Sequence, residues 1–249
     1  MDSCHFDHTS SSAGAGSFPS TQWSLVLTAG DGAAPDSQQA LAELCRKYWY
    51  PLYVYVRRQG YGQHDAEDLT QAFFVRFLEK KYVGLADVQR GRFRSFLLAS
   101  LRHFLHDEWD RATAAKRGGG CTLVPFELDR AEERYRIELA HDLTPEKAYE
   151  RRWAVTLLSE VVDCLRREYV TAGKGAQFEA LRRFLWGTDP AISYAEIAAQ
   201  LGSTEGAVEA AVRRLRARCR EILLSETAQT VTTPEELQEE VQWLFAALG

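Results

Sequence analysis

Apolar residues recur along this chain at intervals of three and four, and nowhere in a sustained alternation of every second position. The first spacing keeps side chains on one face of an α-helix, whereas a half-buried strand would need the second. Leu41, Leu44, Cys45, Tyr48, Leu52, Tyr55 and Val56 make one such stripe, in which Pro51 is expected to kink or restart the helix. Ala66, Leu69, Phe73 and Phe77 make a second, from about Asp65 to Lys80, with Glu67, Asp68, Gln71 and Arg76 outside. Phe93, Leu97, Leu101, Phe104 and Leu105 make a third, from about Arg94 to Arg117, leaving Arg94, Arg102, His103, His106 and Arg111 facing elsewhere. The expected fold class is all-α.

Punctuation divides these stripes into two small helical domains joined by a linker. Residues 1–17, rich in Ser, Gly and Ala, read as a disordered tail, and a short helix capped by Thr21 follows, completing a segment 1–37. A first domain spans 38–117 and stops at Gly118-Gly119-Gly120. The charged linker 118–143 carries at most one short helix, around Arg130 to Leu139. Thr144-Pro145 opens the second domain, 144–225, with a helix reaching about Glu168 that turns Trp153, Leu157, Leu158, Val161 and Leu165 inward. Another helix is expected from about Ala176 to Leu185. Segment 226–249 is an acidic extension, where Thr233-Pro234 starts a helix with Leu237, Val241, Leu244, Phe245 and Leu248 on one side.

Charge is distributed unevenly. The net charge is −5, yet residues 1–40 and 225–249 hold nine acids and no Lys or Arg, so all 30 basic residues lie between 41 and 224 beside 26 acids. A basic middle between acidic ends permits a polyanionic partner. No apolar run approaches the roughly 20 residues that span a bilayer, so no membrane partner is expected. Five scattered cysteines without a CxxC pair fit neither a disulfide framework nor a zinc ribbon, and a reducing cytoplasm is the expected compartment.

Two segments bear on chemistry. In 193–223, Ser193 and Glu196 form a capping box, Gly202-Ser203 turns the chain, and a basic helix follows over 204–224, the layout of a helix-turn-helix. Ile197, Ala198, Leu201, Val208, Val212 and Leu215 would pack the two helices together. Ser203, Thr204, Glu205, Ala207 and Glu209 would face the major groove, and Arg213, Arg214, Arg216 and Arg218 would meet phosphates. In 91–117, Phe93, Phe96, Phe104 and Trp109 interleave with Arg92, Arg94, Arg102, Arg111 and Arg117. Single-stranded DNA is held by such a combination of rings and guanidinium groups, although this aromatic spacing is also core spacing.

DAEDLTQAFF at 65–74, GRFRSFLLASLRHFLHDEWDRA at 91–112 and the 193–223 segment together resemble bacterial RNA polymerase sigma factors, most closely the two-domain extracytoplasmic-function (ECF) group. The resemblance covers roughly residues 38–224. It implies a transcription initiation factor without catalytic centre, cofactor or metal, whose partners are core RNA polymerase and promoter DNA; an anti-sigma factor or other inhibitory protein is a further partner the family admits. By position, Asp68, Gln71, Phe74 and Leu78 would contact the polymerase clamp. Arg92, Arg94, Arg102, His103 and Arg111 would hold the opened minus-ten element, which requires a flipped base to be received. The 204–218 helix would read the minus-thirty-five element. His103 stands where the family usually has Asn, and Glu209 and Ala211 where many relatives have Lys or Arg; Glu209 could accept a hydrogen bond from a cytosine amino group.

Two rivals remain open at this level. A conventional helix-turn-helix regulator with an N-terminal sensor bundle would share the second domain but not the clamp helix. A metal enzyme would have to assemble His103, His106 and Asp107 with Asp65, Glu67 and Asp68, residues that solvated helix faces also explain. Cys4, His5 and His8 are ligand types in a tail and suggest no built site.

Overall fold

The computed structural model describes residues 25, 28–29, 31, 35–78, 92–114, 131–135, 143–187, 192–231 and 233–249. Among these the regular elements are all helical. They are α1 (Ser37–Arg58), α2 (Gln63–Leu78), α3 (Phe93–Ala114), α4 (Pro145–Thr171), α5 (Gly175–Leu181), α6 (Tyr194–Gln200), α7 (Glu205–Ala228) and α8 (Pro234–Leu248). A 3-10 turn, Arg182–Phe184, continues α5. The 1–17 tail, most of the helix expected after Thr21, the loop before Arg92 and the Gly118–Gly120 stop lie outside the described residues; Leu25 and Ala29 are helical and buried.

Helix starts follow local chemistry. Thr144 Oγ1 accepts the Lys147 N–H at 3.3 Å ahead of Pro145, which has no N–H to satisfy. Ser193 and Glu196 close the expected capping box, as Thr233 and Glu236 do for α8.

Helix α1 departs from expectation. It runs unbroken through Pro51, which lies within nine consecutive buried residues, Tyr48 to Val56. Proline removes one helical hydrogen bond. Burial offsets that loss, because each large apolar side chain taken out of water contributes about 1.5–3 kcal/mol. A helix buried on every side needs neighbours on every side. One flank meets α2, Tyr48 meets Phe93 of α3 edge-on at 5.1 Å, and the most extensive packing is against α4.

The segments assigned to two domains therefore share one core, which reaches from α1 to Leu244 of α8. Polar contacts cross the same boundary. Lys47, only 8% exposed, reaches Glu160 of α4 at 3.7 Å and Glu226 of α7 at 3.2 Å, and Arg46 meets Glu160 at 2.6 Å. Burial raises the Glu160 carboxyl above its ordinary pKa against the pull of Lys47 and Arg46. Within the linker, 131–135 is helical and tied to α1: Tyr53 donates to Glu132 at 2.5 Å, and Arg57 grips both oxygens of the same carboxylate.

Helix α8 is rotated relative to the stripe read from sequence. Leu244 is buried, but Phe245 is 51% exposed, and the fully buried polar residue of the helix is Glu240. The cause is a cationic partner, described below.

Candidate nucleic-acid interface

Helix α2 is held on α3 by rings: Phe73 lies 5.7 Å from Phe104 and Phe77 lies 6.0 Å from Phe96. That packing turns Asp68 outward, exposed, and leaves Gln71 and Leu78 half-buried. Phe74, expected beside them on the contact surface, is instead 5% exposed and packs against Phe73. At about 100° per residue, Asp68, Gln71, Val75 and Leu78 fall within one arc of about 80°, and Phe74 lies about 40° beyond its Leu78 edge, turned toward the core. The exposed apolar residue of the face is Val75, 47% exposed, which the same arithmetic could have found. Glu67, expected outside, is buried and accepts from Gln63 Nε2 at 3.1 Å.

The basic residues of α3 divide into two groups. Arg102, His103 and Arg111 are exposed, with Arg111 paired to Glu108 one turn earlier at 2.5 Å. Arg94, expected to face outward, is 3% exposed. Its Nε donates to Glu240 Oε1 at 2.5 Å and its Nη2 to Oε2 at 3.1 Å, while its guanidinium lies 3.2 Å over the Trp243 ring. Arg92 meets the same carboxylate at 3.0 Å and Glu239 at 2.8 Å. Both arginines are thus engaged by α8, and the backbone joins in, since Phe93 N–H donates to Thr230 C=O at 3.2 Å.

A cavity of about 590 Å³ opens beside the exposed group. Tyr55, Gln59 and Tyr61 line one wall, Arg102, His106 and Trp109 another, and Glu146 of α4 contributes an acid. Trp109 is 61% exposed. In the sequence Trp109 stands among the interleaved aromatics of 91–117 with no contact assigned to it. Its signal was the spacing Arg102, His106, Trp109, which places all three along one helix face. An aromatic plane beside a guanidinium can receive a base and a phosphate together.

Helices α6 and α7 are joined by a four-residue turn, where Gly202 adopts φ +59° and Ser203 N–H donates to Ala198 C=O at 2.8 Å. Ile197, Ala198, Val208, Val212 and Leu215 are buried between the helices, and Leu201 is half-buried. Ser203, Thr204, Glu205, Ala207 and Glu209 are exposed together at the start of α7. Ala211, noted as a departure from basic residues in relatives, is buried. The four arginines expected at phosphates separate. Arg216 donates to the C=O groups of Phe184 and Gly187, both at 2.8 Å. Arg218 is clamped by Glu168 and Glu221, and its hydrogen bonds hold the Glu168 carboxyl below its ordinary pKa. Arg213 and Arg214 are exposed and have no ion-pair partner among the described residues. Those two retain charge for an incoming anion.

For the metal-enzyme alternative, no three His, Cys, Asp or Glu side chains converge among the described residues; His106 pairs with Asp110 and Asp107 with Arg76. No helix among them is long and apolar enough to cross a membrane.

No protein-family model and no solved structure matches the chain. A curated relative, the ECF RNA polymerase sigma factor SigE of Mycolicibacterium smegmatis, is 30% identical over 206 residues, covering 81% of this chain and 68% of that protein. A match of that extent cannot be confined to either half of the chain.

Proposed function

The chain belongs to the ECF RNA polymerase sigma factors, and we propose that it binds core RNA polymerase through α2, reads duplex DNA with the exposed start of α7, and holds the opened strand with α3. It recruits and positions; the chemistry is the polymerase's, and no catalytic residue of its own is invoked.

The observation that carries this reading is the presentation of Asp68, Gln71, Val75 and Leu78 on one accessible face of a helix whose opposite face is locked by Phe73 and Phe77. Helix-on-helix docking needs such an acidic and apolar ridge on a rigid support. At α7, exposed Ser203, Thr204 and Ala207 offer short side chains and Glu205 and Glu209 offer acceptors at a helix N-terminus, where base edges are read, and Arg213 and Arg214 supply phosphate contacts. On α3, Arg102 lines the Trp109 cavity, a site suited to a base drawn out of the stack, while His103 and Arg111 are exposed elsewhere on the same helix and can meet the strand's backbone. An anti-sigma protein that covers α2 or α7 would silence the chain without altering its fold.

Capture of purified bacterial core polymerase by the tagged full chain tests the assignment. Asp68→Lys should reduce capture at least tenfold while leaving the fold intact. A helix-turn-helix regulator would instead bind duplex DNA alone and ignore both polymerase and the substitution. Equal capture by wild type and Asp68→Lys would overturn the α2 assignment.

A further inference from the structure

Helix α8 carries four acids and no basic residue, and two of those acids, Glu239 and Glu240, are engaged by the two arginines at the start of α3. Glu240 is fully buried and accepts from Arg94 through both oxygens, with Arg92 on one of them. Glu239, 68% exposed at its side chain, takes the outer nitrogen of Arg92. Trp243 covers the Arg94 guanidinium and lies 5.6 Å from Trp153 of α4. Two carboxylates set against two guanidinium groups, backed by an aromatic plane, reproduce what a phosphate and a stacked base would offer the same surface.

We propose that α8 is an intramolecular latch whose Glu239 and Glu240 stand in for DNA phosphates on Arg92 and Arg94, keeping the chain closed and the start of α3 unavailable until promoter engagement displaces them. This rests on the sigma-factor reading above and adds regulation to it.

Geometry requires some release of this kind. Elements named for positions ten and thirty-five are about 25 base pairs apart, roughly 85 Å at the ~3.4 Å rise of a duplex. A compact chain of this length has a radius of gyration near 18 Å and is therefore about 46 Å across. The α3 and α7 surfaces cannot reach both elements while α1 packs on α4 and α8 bridges α3 to α4 and α7. The Arg92–Glu239 contact is the solvent-accessible part of this bridge, so competing phosphates meet it first, and the buried Arg94–Glu240 pair separates only after it.

The test uses the full chain and three substitutions: Glu240→Gln, Glu239→Gln and Glu235→Gln. Glu235 is exposed on the same helix, so its replacement removes the same charge without touching either arginine. Binding of a labelled 20-nucleotide single strand is measured by fluorescence anisotropy, and amide exchange is followed across 92–100, where Phe93 N–H reports on its bond to Thr230. Glu240→Gln should tighten oligonucleotide binding about tenfold and Glu239→Gln about threefold, both with faster exchange at Phe93. Glu235→Gln should stay within twofold of wild type. If exchange accelerates while affinity remains within twofold, the contact is core packing and the latch is refuted; unchanged exchange in both variants refutes it equally. Should Glu240→Gln fail to fold, the exposed Glu239 decides by the same criterion. Core-polymerase capture by the wild type is scored separately, so that its absence would remove the sigma-factor reading while the oligonucleotide result still judged the latch.

Discussion

Replacing Arg94 and Glu240 singly and together measures how the α3–α8 junction is held. Arg94 and Glu240 are 3% and 0% exposed and share two hydrogen bonds. Removing one member of a buried pair strands the other charge, at a cost of about 3–5 kcal/mol. The two single losses should differ. In Arg94→Met, Glu240 keeps Arg92 at 3.0 Å, so the loss falls near the lower end, about 3 kcal/mol. In Glu240→Leu, Arg94 is left with Glu150 at 3.7 Å, a carboxylate one-third exposed, and the loss approaches 5 kcal/mol. The double variant replaces both charges by apolar groups of similar length and should recover most of the loss, because apolar pairs substitute well for buried ion pairs. Urea unfolding of the four proteins gives the coupling: single losses of about 3 and about 5 kcal/mol with a double loss of about 2 kcal/mol make it about 6 kcal/mol, above the range of about 0.5–3 kcal/mol for ordinary neighbours. For a chain of this size, a loss of 3–5 kcal/mol lowers the melting temperature by about 6–20 °C. Single losses below about 1 kcal/mol, with no coupling, would mean that the guanidinium is hydrated and that α8 does not close over α3.

Three further outcomes follow from the same structure. Leu215→Ala removes a side chain with no exposure at the α6–α7 crossing and should destabilise the protein by about 2–5 kcal/mol in urea unfolding, with a smaller loss counting against the crossing. Arg213→Ala should weaken duplex binding uniformly across sequences and reduce the slope of log K against log salt by about 0.9, whereas Arg218→Ala, already paired to Glu168, should leave that slope nearly unchanged. Glu196 is held below its ordinary carboxyl pKa of 4.5 by the Ser193 N–H and hydroxyl, so its capping contribution is complete above 4.5 and is lost as pH falls through the depressed value. Protection factors at the start of α6, taken against the intrinsic exchange rate at each pH, should fall over that acid range in wild type, and Glu196→Gln should remove this fall.

The helical class, most helix starts and the inward residues of α4, α6 and α7 were legible because each depends on neighbours within a turn or two of sequence. Asp68 on α2 and the exposed residues that open α7 were legible for the same reason. Phe74, Glu67 and Arg94 were misplaced because periodicity tells which side chains share a face but not how many faces are covered. The run from Tyr48 to Val56 carried a usable signal, since a helix apolar all round must be enclosed.

Local sequence determined the helices and their caps, since 3.6-residue periodicity and side-chain hydrogen bonds to nearby backbone act over a few residues. Which arginines stay available to an anion was decided only in three dimensions. Arg94, Arg216 and Arg218 look alike in a string beside Arg213 and Arg214, but Glu240 lies 146 residues from Arg94 and Glu168 lies 50 from Arg218. A guanidinium's partner is set by the path of the whole chain, and no spacing rule reaches that far.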